Sequence, residues 1–371
     1  MLTSCFKDEA PNAECDIQKA FVVMDNWDAV FNNQTDASID VPSNTSQISF
    51  EVKDNANISK MSPQFQLTPG ATISPESGTE LDFSNNARHK YTVTSEDGAW
   101  TREYYVGFGS KLLPLKYSFE NIDFFIDRDG TEKYHQWYDY SRGSDSKIYR
   151  DWATGNGGFK LSMGKAPYED YPTVSVEGGV RGRCVKLTTR STGPFGVMSN
   201  MRIAAGNLFI GSFDLANALK DPLRATKFGI QYYKRPVSLK GYFKFKAGDV
   251  YTDEGAVQKD KKDRFDIYAI MYEANENSFM LDGSNSLDLT SDKLVSIARI
   301  SEEDAKETDS WTPFELPFKA VNGKSIDPVK LQEGKYKLSI VLSSSVDGAY
   351  FKGAVGSTLY VDELELISED N

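Results

Sequence analysis

The last residues of the chain carry the pattern that most constrains its fold. Residues 356–367 read GSTLYVDELELI, in which apolar and polar residues alternate. A period of two is typical of a β-strand that buries one face. The alternation changes phase between Val361 and Leu364, which predicts a β-bulge at Asp362 and Glu363. Because a half-apolar strand needs a second layer over its apolar face, we expect this segment to close a β-sandwich.

A second β-rich run, residues 115–124, is the expected partner of this closing strand. Jelly-roll sandwiches bring their first and last strands together, which protects the sheet edges. Residues 213–220 and 301–308 are the best helix candidates, and both are short. Between the two ends lie further strand-like runs at 184–187, 239–245, 265–272, 295–300, 311–316 and 335–342.

Composition supports a globular chain with substantial cores. The 371 residues are enough for two or three domains, and with 39% hydrophobic and 12% aromatic residues the chain can form substantial cores. The net charge of −12 argues against a nucleic-acid partner, whose phosphates require a basic surface, and is compatible with uncharged glycans. Only two histidines are present, which argues against a histidine-rich zinc site and against a Ser-His-Asp catalytic triad, because both require histidine.

The N-terminal part reads as a smaller all-β domain. Short alternating runs occur at 48–52, 91–94 and 104–106, and turn signals such as Pro69-Gly70 and Asp97-Gly98 separate them. This spacing predicts a β-sandwich. The glycine-containing segment GFGSKLLP that follows is typical of a linker. We therefore predict three regions, which are a leader at 1–16, a β-sandwich at 17–110 and a jelly-roll domain at 111–371.

Several sequence segments, in a fixed order, resemble known families. The segment from Met61 to Ser84, followed by YTVTSEDGAWTREYYV, resembles the bacterial immunoglobulin-like modules of secreted polysaccharide-handling proteins. Most of the second region resembles the putative carbohydrate metabolism domain, a jelly-roll family of surface lipoproteins that are sometimes labelled putative glycoside hydrolases. The matching pieces are FEN at 119, WATGNGG at 152, AGNLFIG at 205, YKRP at 233, LKGY at 239 and FKGAVGSTLYVD at 351. The resemblance implies a carbohydrate-related function and supplies no catalytic residues.

The N-terminus predicts a lipid anchor. Residues 2–5, LTSC, resemble a bacterial lipobox, in which Cys5 becomes lipidated after the signal peptide is removed. Lys7-Asp8-Glu9 resembles the export signal of surface lipoproteins in gut-commensal Gram-negative bacteria. The apolar signal core does not precede Cys5 here, so we expect the natural start to lie upstream. An ordinary disordered terminus is the alternative. The lipoprotein hypothesis predicts an outer-membrane protein at the cell surface.

Aromatic and polar side chains concentrate between residues 134 and 152. Sugars stack their C–H faces on aromatic rings and exchange hydrogen bonds with planar polar groups, so this mixture suits a glycan site. Aromatic residues at alternate positions are also typical of a strand core, and that alternative stays open. The predicted sugar-binding residues are Tyr134, Trp137, Tyr138, Tyr140, Trp152 and Asn156.

Three function classes are compatible with these observations. The first is a surface lipoprotein that binds polysaccharide or oligosaccharide in glycan utilisation. The second is a glycoside hydrolase, which needs two carboxyl groups flanking one bond, and Asp139 and Asp151 in the aromatic cluster are the weak catalytic candidates. The third is a structural or adhesin protein without sugar binding. No cofactor for chemistry is expected.

A structural calcium ion is the last expectation. Jelly-roll carbohydrate-binding modules resembling this domain place a Phe-Glu pair in the opening strand and an Asp in the closing strand around such an ion. Phe119-Glu120 and Val361-Asp362 occupy the matching positions, so Glu120 and Asp362 are the candidate carboxylate ligands. The alternative is that Asp362 accepts hydrogen bonds from backbone amides in the bulge and that Glu120 is solvated.

Overall fold

The computed structural model separates the chain into two compact units. One comprises Met1–Leu112 with Tyr140–Ser146, and the other comprises Leu113–Asp139 with Lys147–Asn371. The structure describes residues 12–31, 34–43, 46–53, 56–84, 87–109, 116–140, 147–148, 152–232, 234–274, 279–332 and 335–369.

The first unit is a two-layered β-sandwich. The three-stranded sheet has the order β2-β1-β4, and the four-stranded sheet has the order β3-β7-β6-β5, in which β3 and β7 are parallel. The strands are β1 (Ile17–Phe21), β2 (Ser38–Asp40), β3 (Gln47–Glu51), β4 (Gln64–Leu67), β5 (Thr72–Ser74), β6 (Arg88–Thr94) and β7 (Thr101–Gly109). Phe50 and Phe108 stack in the core with ring centroids 4.7 Å apart. Gly70 has a φ of +82° at its turn, so this turn needs glycine.

The second unit is built almost entirely from strands. From Lys116 the strands are β8 (Lys116–Tyr117), β9 (Ile122–Ile126), β10 (Glu132–Trp137), β11 (Asp139–Tyr140), β12 (Lys147–Ile148), β13 (Trp152–Ala153), β14 (Thr173–Glu177), β15 (Arg183–Thr188), β16 (Arg190–Ser191), β17 (Ile203–Ala204) and β18 (Asn207–Phe213). They continue with β19 (Thr226–Phe228), β20 (Ile230–Gln231), β21 (Arg235–Lys246), β22 (Tyr251–Asp253), β23 (Ala256–Val257), β24 (Asp266–Glu273), β25 (Leu281–Asp282), β26 (Leu294–Arg299), β27 (Thr308–Pro317), β28 (Lys319–Ala320), β29 (Tyr336–Ser343), β30 (Gly353–Ala354) and β31 (Thr358–Glu369).

The six-stranded sheet contains the closing strand at its centre. Its order is β14-β15-β31-β21-β27, and β8 also pairs with β31. Tyr117 lies opposite Leu364, so the first and last strands of the unit are neighbours, as predicted. The register between β21 and β31 shifts between Lys240 and Tyr242, and Glu363 has a φ of +49°. The bulge predicted at Asp362 and Glu363 is therefore present.

The nine-stranded sheet faces the six-stranded sheet across the main core. Its order is β25-β19-β18-β29-β24-β26-β28, with β13 on β18 and β20 on β29. Alternate residues of β24 point to opposite sides, because Ile267 and Ala269 lie in the core between the sheets whereas Tyr268 and Ile270 lie in a separate apolar cluster. Both faces of this sheet are therefore covered, and the unit is the predicted jelly-roll β-sandwich with additional layers.

Helices are few, and they do not form where the sequence suggested. The two expected segments, 213–220 and 301–308, form turns instead. Side-chain to backbone hydrogen bonds explain this, because Ser301 and Asp214 bond locally and stabilise turns as readily as helix starts. The α-helices are α1 (Asn156–Met163), α2 (Gly193–Met198) and α3 (Pro328–Gln332). Short 3₁₀ turns lie at Trp27–Ala29, Gln34–Ala37, Tyr168–Asp170, Pro222–Arg224 and Gly348–Tyr350.

Candidate functional site

Trp137 is a core residue, which corrects its predicted role in sugar binding. The β9–β10 hairpin places its side chain in the core between the two large sheets, where it is 4% exposed. Its indole Nε1 has no hydrogen-bond partner among the described residues. A ring with no accessible face cannot stack on a sugar. At this position the alternative interpretation is therefore correct, and the aromatic side chain of β10 is part of the core.

The other described rings of the predicted cluster also pack against protein. Trp152 is half-buried and contacts the Tyr117 ring edge-on, with centroids 5.0 Å apart. Tyr134 stacks on Phe125 with centroids 4.8 Å apart, and burial raises the pKa of Tyr134 to about 12. Tyr138 is half-buried. These contacts make the cluster a packing layer over the edge of the sandwich.

Asn156 is buried completely and holds a loop in place. Its side-chain Nδ2 donates to the Thr173 carbonyl at 2.7 Å, and its Oδ1 accepts the Thr173 amide at 3.1 Å. Both ends of the carboxamide are therefore used by the backbone of β14. Asn156 cannot contact a sugar, so its predicted binding role is corrected to that of an anchor between α1 and β14.

Some predicted residues fall outside the part of the chain that the structure describes. The side chains of Asp139 and Tyr140 are not described, although their backbone forms β11. Asp151 and Cys5 also lie outside the described residues. The catalytic candidates and the lipidation site therefore stay predictions from the sequence.

The two candidate calcium ligands both contact the turn between β14 and β15. Asp362 Oδ2 accepts the amides of Val180 and Arg181 at 2.6 and 3.3 Å, and Glu120 accepts the Arg183 amide with both carboxylate oxygens. Asp362 thus accepts the backbone amide hydrogen bonds that were expected of a bulge residue. Across the described residues, no group of three or more His, Cys, Asp or Glu side chains is placed to hold a metal ion. The calcium site stays a prediction.

A cavity of about 430 Å³ lies on the side of the nine-stranded sheet that faces away from the main core. Its floor consists of side chains from four adjacent strands, namely Phe209, Phe228, Asp266, Tyr268, Val341 and Ser343. Residues 192–201, 213–225, 283–288 and 345–351 and helix α1 contribute its walls. We call this space the loop-covered cavity. Its volume is in the range of small-molecule ligand sites.

Aromatic side chains stand at the mouth of the loop-covered cavity. Phe195 on α2 is 44% exposed and Tyr350 in the 345–351 loop is 54% exposed, and both line the cavity. The deeper rings Phe209 and Phe228 are buried and meet edge-on, with centroids 5.0 Å apart. The cavity therefore offers accessible ring faces outside and an apolar floor inside.

Polar groups on the floor are few and hydrogen-bonded. Asp266 is 3% exposed, and the Arg299 guanidinium donates to its two carboxylate oxygens at 2.7 to 3.1 Å. Burial raises the pKa of the Asp266 carboxyl, and the Arg299 ion pair opposes that shift. The Tyr268 hydroxyl lies 3.4 Å from Ser286 Oγ. A largely apolar lining with several placed polar groups is typical of a small-molecule binding site.

A second carboxylate, Asp288, lines the same cavity and is exposed. Its Oδ1 accepts hydrogen bonds from the Thr290 hydroxyl at 2.6 Å and amide at 3.1 Å. These bonds lower the pKa of Asp288. The cavity thus holds one buried carboxyl and one ionised, exposed carboxylate.

Sequence reasoning missed this cavity because its residues are spread from Gly155 to Phe351. One local signal was available. The strand DIYAIMYE at 266–273 is rich in large side chains on both faces, and a strand that is apolar on both sides indicates that both faces of its sheet are covered. The loops that build the walls carry no comparable pattern.

Comparisons with known proteins relate both units to carbohydrate-handling families. Residues 118–367 match the family described as "Putative carbohydrate metabolism domain", and residues 28–107 match the family described as "SGBP, N-terminal". The structure of a protein from Bacteroides thetaiotaomicron VPI-5482, described as a putative glycoside hydrolase, is 44% identical over 98% of this chain and 100% of its own, with a TM-score of 0.68.

A Bacteroides vulgatus ATCC 8482 protein structure with the same description is also similar. It is 43% identical over 69% of this chain and 98% of its own, with a TM-score of 0.62. A comparison with curated proteins gave no match. The matched regions agree with the two units of the structure.

Proposed function

Because the chain belongs to the putative carbohydrate metabolism domain family, we propose that it binds an oligosaccharide or a polysaccharide chain in the loop-covered cavity and serves glycan utilisation. The observation that carries this proposal is the combination of an apolar floor with exposed Phe195 and Tyr350 rings at the mouth. Ring faces stack on the C–H faces of sugars, and the few polar groups orient the hydroxyls.

Binding is favoured over hydrolysis by the state of the floor carboxylate. Asp266 uses both oxygens in its ion pair with Arg299, and an ionised, paired carboxylate cannot donate a proton to a leaving group. The experiment is a glycan array on the full chain, followed by calorimetry with each ligand found. Tyr350→Ala and Phe195→Ala should each weaken binding several-fold, since an aromatic contact contributes about 0.5–1.5 kcal/mol.

Trp100→Ala is the matched control, because Trp100 is 62% exposed and does not line the loop-covered cavity. Its affinity should equal that of the unmodified chain. If neither cavity variant changes the affinity while the array ligand still binds, the cavity is not the binding site.

Glycoside hydrolysis is the second candidate function, and one observation favours it. Asp266 and Asp288 line one cavity, and glycosidases act through a pair of carboxyl groups at one site. A reducing-end assay on each bound oligosaccharide tests this. Release of reducing ends that both Asp266→Asn and Asp288→Asn abolish would establish hydrolysis, whereas no release at saturating protein would exclude it for that ligand.

We further propose that the protein is an outer-membrane lipoprotein anchored through Cys5. The match of residues 28–107 to the SGBP N-terminal family supports a cell-surface location. Among the described helices, none has the length and apolar character that crossing a bilayer requires. In the cells that produce the protein, Cys5→Ala should move it from the membrane fraction to the soluble fraction. Unchanged fractionation would contradict the anchor.

A further inference from the structure

A row of alternating lysine and aromatic side chains crosses the six-stranded sheet on its face away from the main core. Lys186 on β15 lies opposite Tyr360 on β31, and Tyr360 lies opposite Lys244 on β21. Trp311 on β27 falls in the register shift between the pairs Phe243–Thr312 and Phe245–Thr308. A bulge redirects a side chain, and here it brings the indole to Lys244. We call these four residues the lysine–aromatic row.

The members of the row contact one another through cation–π geometry. Lys244 Nζ lies 4.5 Å from the Trp311 ring centroid and 5.0 Å from the Tyr360 centroid. Lys186 Nζ lies 6.0 Å from the Tyr360 centroid. All four side chains are half-buried. Since the row crosses three strand spacings, it extends over about 14 Å, which is long enough to contact successive units of a chain ligand.

The two lysines of the row form no ion pair within the described residues. Neither Lys186 nor Lys244 has a carboxylate within ion-pair distance there, whereas Lys240 on the same strand as Lys244 lies 3.4 Å from Glu315. Burial lowers the pKa of Lys186, and the neighbouring charge of Arg190 adds to the effect. An anion placed between the lysines would offset both the burial of the Lys186 charge and its repulsion from Arg190. In a chain with a net charge of −12, such a cationic row contrasts with the rest of the surface.

We propose that the lysine–aromatic row binds an acidic glycan, with the two lysines pairing with sugar carboxylates and the Tyr360 and Trp311 rings contacting sugar faces. The sugar class rests on the proposed glycan function, whereas the preference for an anion follows from the row itself. The row is separate from the loop-covered cavity, which has two carboxylates and no lysine, arginine or histidine in its lining. The protein therefore has one surface for neutral sugar and one for uronate residues.

The test uses the full chain and calorimetry with tetragalacturonate and, as the neutral counterpart, galactotetraose. Tetragalacturonate should bind, with an affinity that falls as salt increases because the contacts are charged. Lys186→Met together with Lys244→Met should weaken binding about tenfold, since hydrogen bonds to charged groups are the stronger class. Methionine keeps the length and apolar character of the lysine stem, so the rings remain packed. Trp311→Ala should weaken binding several-fold.

Lys240→Met is the matched control, because it removes one lysine from the same strand and leaves the row intact. It should bind tetragalacturonate as the unmodified chain does. Tyr350→Ala in the cavity should also leave uronate binding unchanged, so a failure of the proposed cavity function is distinguishable from a failure of the row. Equal affinity for both tetrasaccharides, or unchanged uronate affinity in the double variant at an unchanged melting temperature, would overturn the proposal. Binding to anionic phospholipid vesicles without binding to the uronate would also overturn it.

Discussion

Single residues in the second unit show how burial decides protonation. His135 is 4% exposed and its Nδ1 accepts the Ser175 amide at 2.9 Å. An acceptor nitrogen must be unprotonated, and burial together with the nearby Arg183 charge lowers the pKa of His135 to about 4. The imidazole is therefore a neutral hydrogen-bond acceptor at physiological pH, and its role is to hold β10 against β14.

This neutral histidine predicts a pH dependence of stability. Below its ordinary pKa of 6.5 the unfolded state takes up a proton that the folded state refuses until about pH 4. Stability should therefore fall as pH decreases through that window, by up to about 3 kcal/mol. His135→Gln keeps an acceptor without titrating, so its free energy of unfolding, measured by urea denaturation, should fall less over the same window. His89→Gln, in the first unit, is the control, and equal slopes for all three chains would contradict the assignment.

Because Trp137 is buried in the core, we expect its replacement to lower the stability of the protein and not its affinity for a sugar. Its buried indole packs in the main core, so Trp137→Ala should decrease the free energy of unfolding by about 3–5 kcal/mol. Trp100→Ala, at an exposed position, should change it by no more than about 0.5 kcal/mol. Chemical denaturation measures both. A Trp137→Ala chain as stable as the unmodified protein would show that the ring is not in the core.

At the scale of elements, the turn between β14 and β15 depends on carboxylates from distant strands. Gly182 has a φ of +45°, and a Cβ there would lie 2.4 Å from Glu120 Oε2. A Cβ on Gly179 would lie 2.5 Å from Asp362 Oδ2. The positive φ favours glycine at position 182. At position 179 the Cβ would also lie 2.5 Å from the Arg181 carbonyl oxygen and 2.6 Å from the Arg183 carbonyl oxygen, so a side chain has no room there. Asp362→Ala should leave the Val180 and Arg181 amides without their acceptor and destabilise the unit by about 2 kcal/mol or more.

The predicted calcium ion belongs to this same element. If calcium binds Glu120 and Asp362 in the folded state, the melting temperature should rise with calcium concentration and fall with a chelator, because a ligand of the folded state stabilises it by mass action. Calorimetry of the unmodified chain and of Asp362→Asn tests this, since the variant should lose the response. The calcium site would be excluded if the melting temperature did not respond to calcium or chelator and elemental analysis found no metal. The role of these carboxylates would then be to accept hydrogen bonds from the backbone amides of the turn.

At the scale of the whole molecule, two separate cores predict two separable parts. The core of the first unit contains residues from Ile17 to Phe108, and that of the second contains residues from Tyr117 to Leu366. Limited proteolysis should therefore cut near Lys111 and leave fragments that resist further digestion. Mass spectrometry identifies the fragments. Cleavage spread through the chain, with no stable fragment beginning close to Lys111, would contradict independent domains.

The sequence alone determined the local features of the fold. The alternation in the last strand, its bulge at Asp362 and Glu363, and the turn at Gly70 were readable because each depends on neighbouring residues and on a period of two. The pairing of the first and last strands followed from the need to protect sheet edges. Each of these features is present in the structure.

Only the tertiary structure decided which surfaces are accessible. The sequence around Trp137 and Asn156 is as rich in aromatic and polar residues as that of an exposed binding site. In the structure, layers formed by distant segments bury both side chains. The loop-covered cavity and the lysine–aromatic row each combine residues from several strands, so no short sequence window contains either of them. Burial depends on what packs over a side chain, and the covering residues lie far away in the sequence.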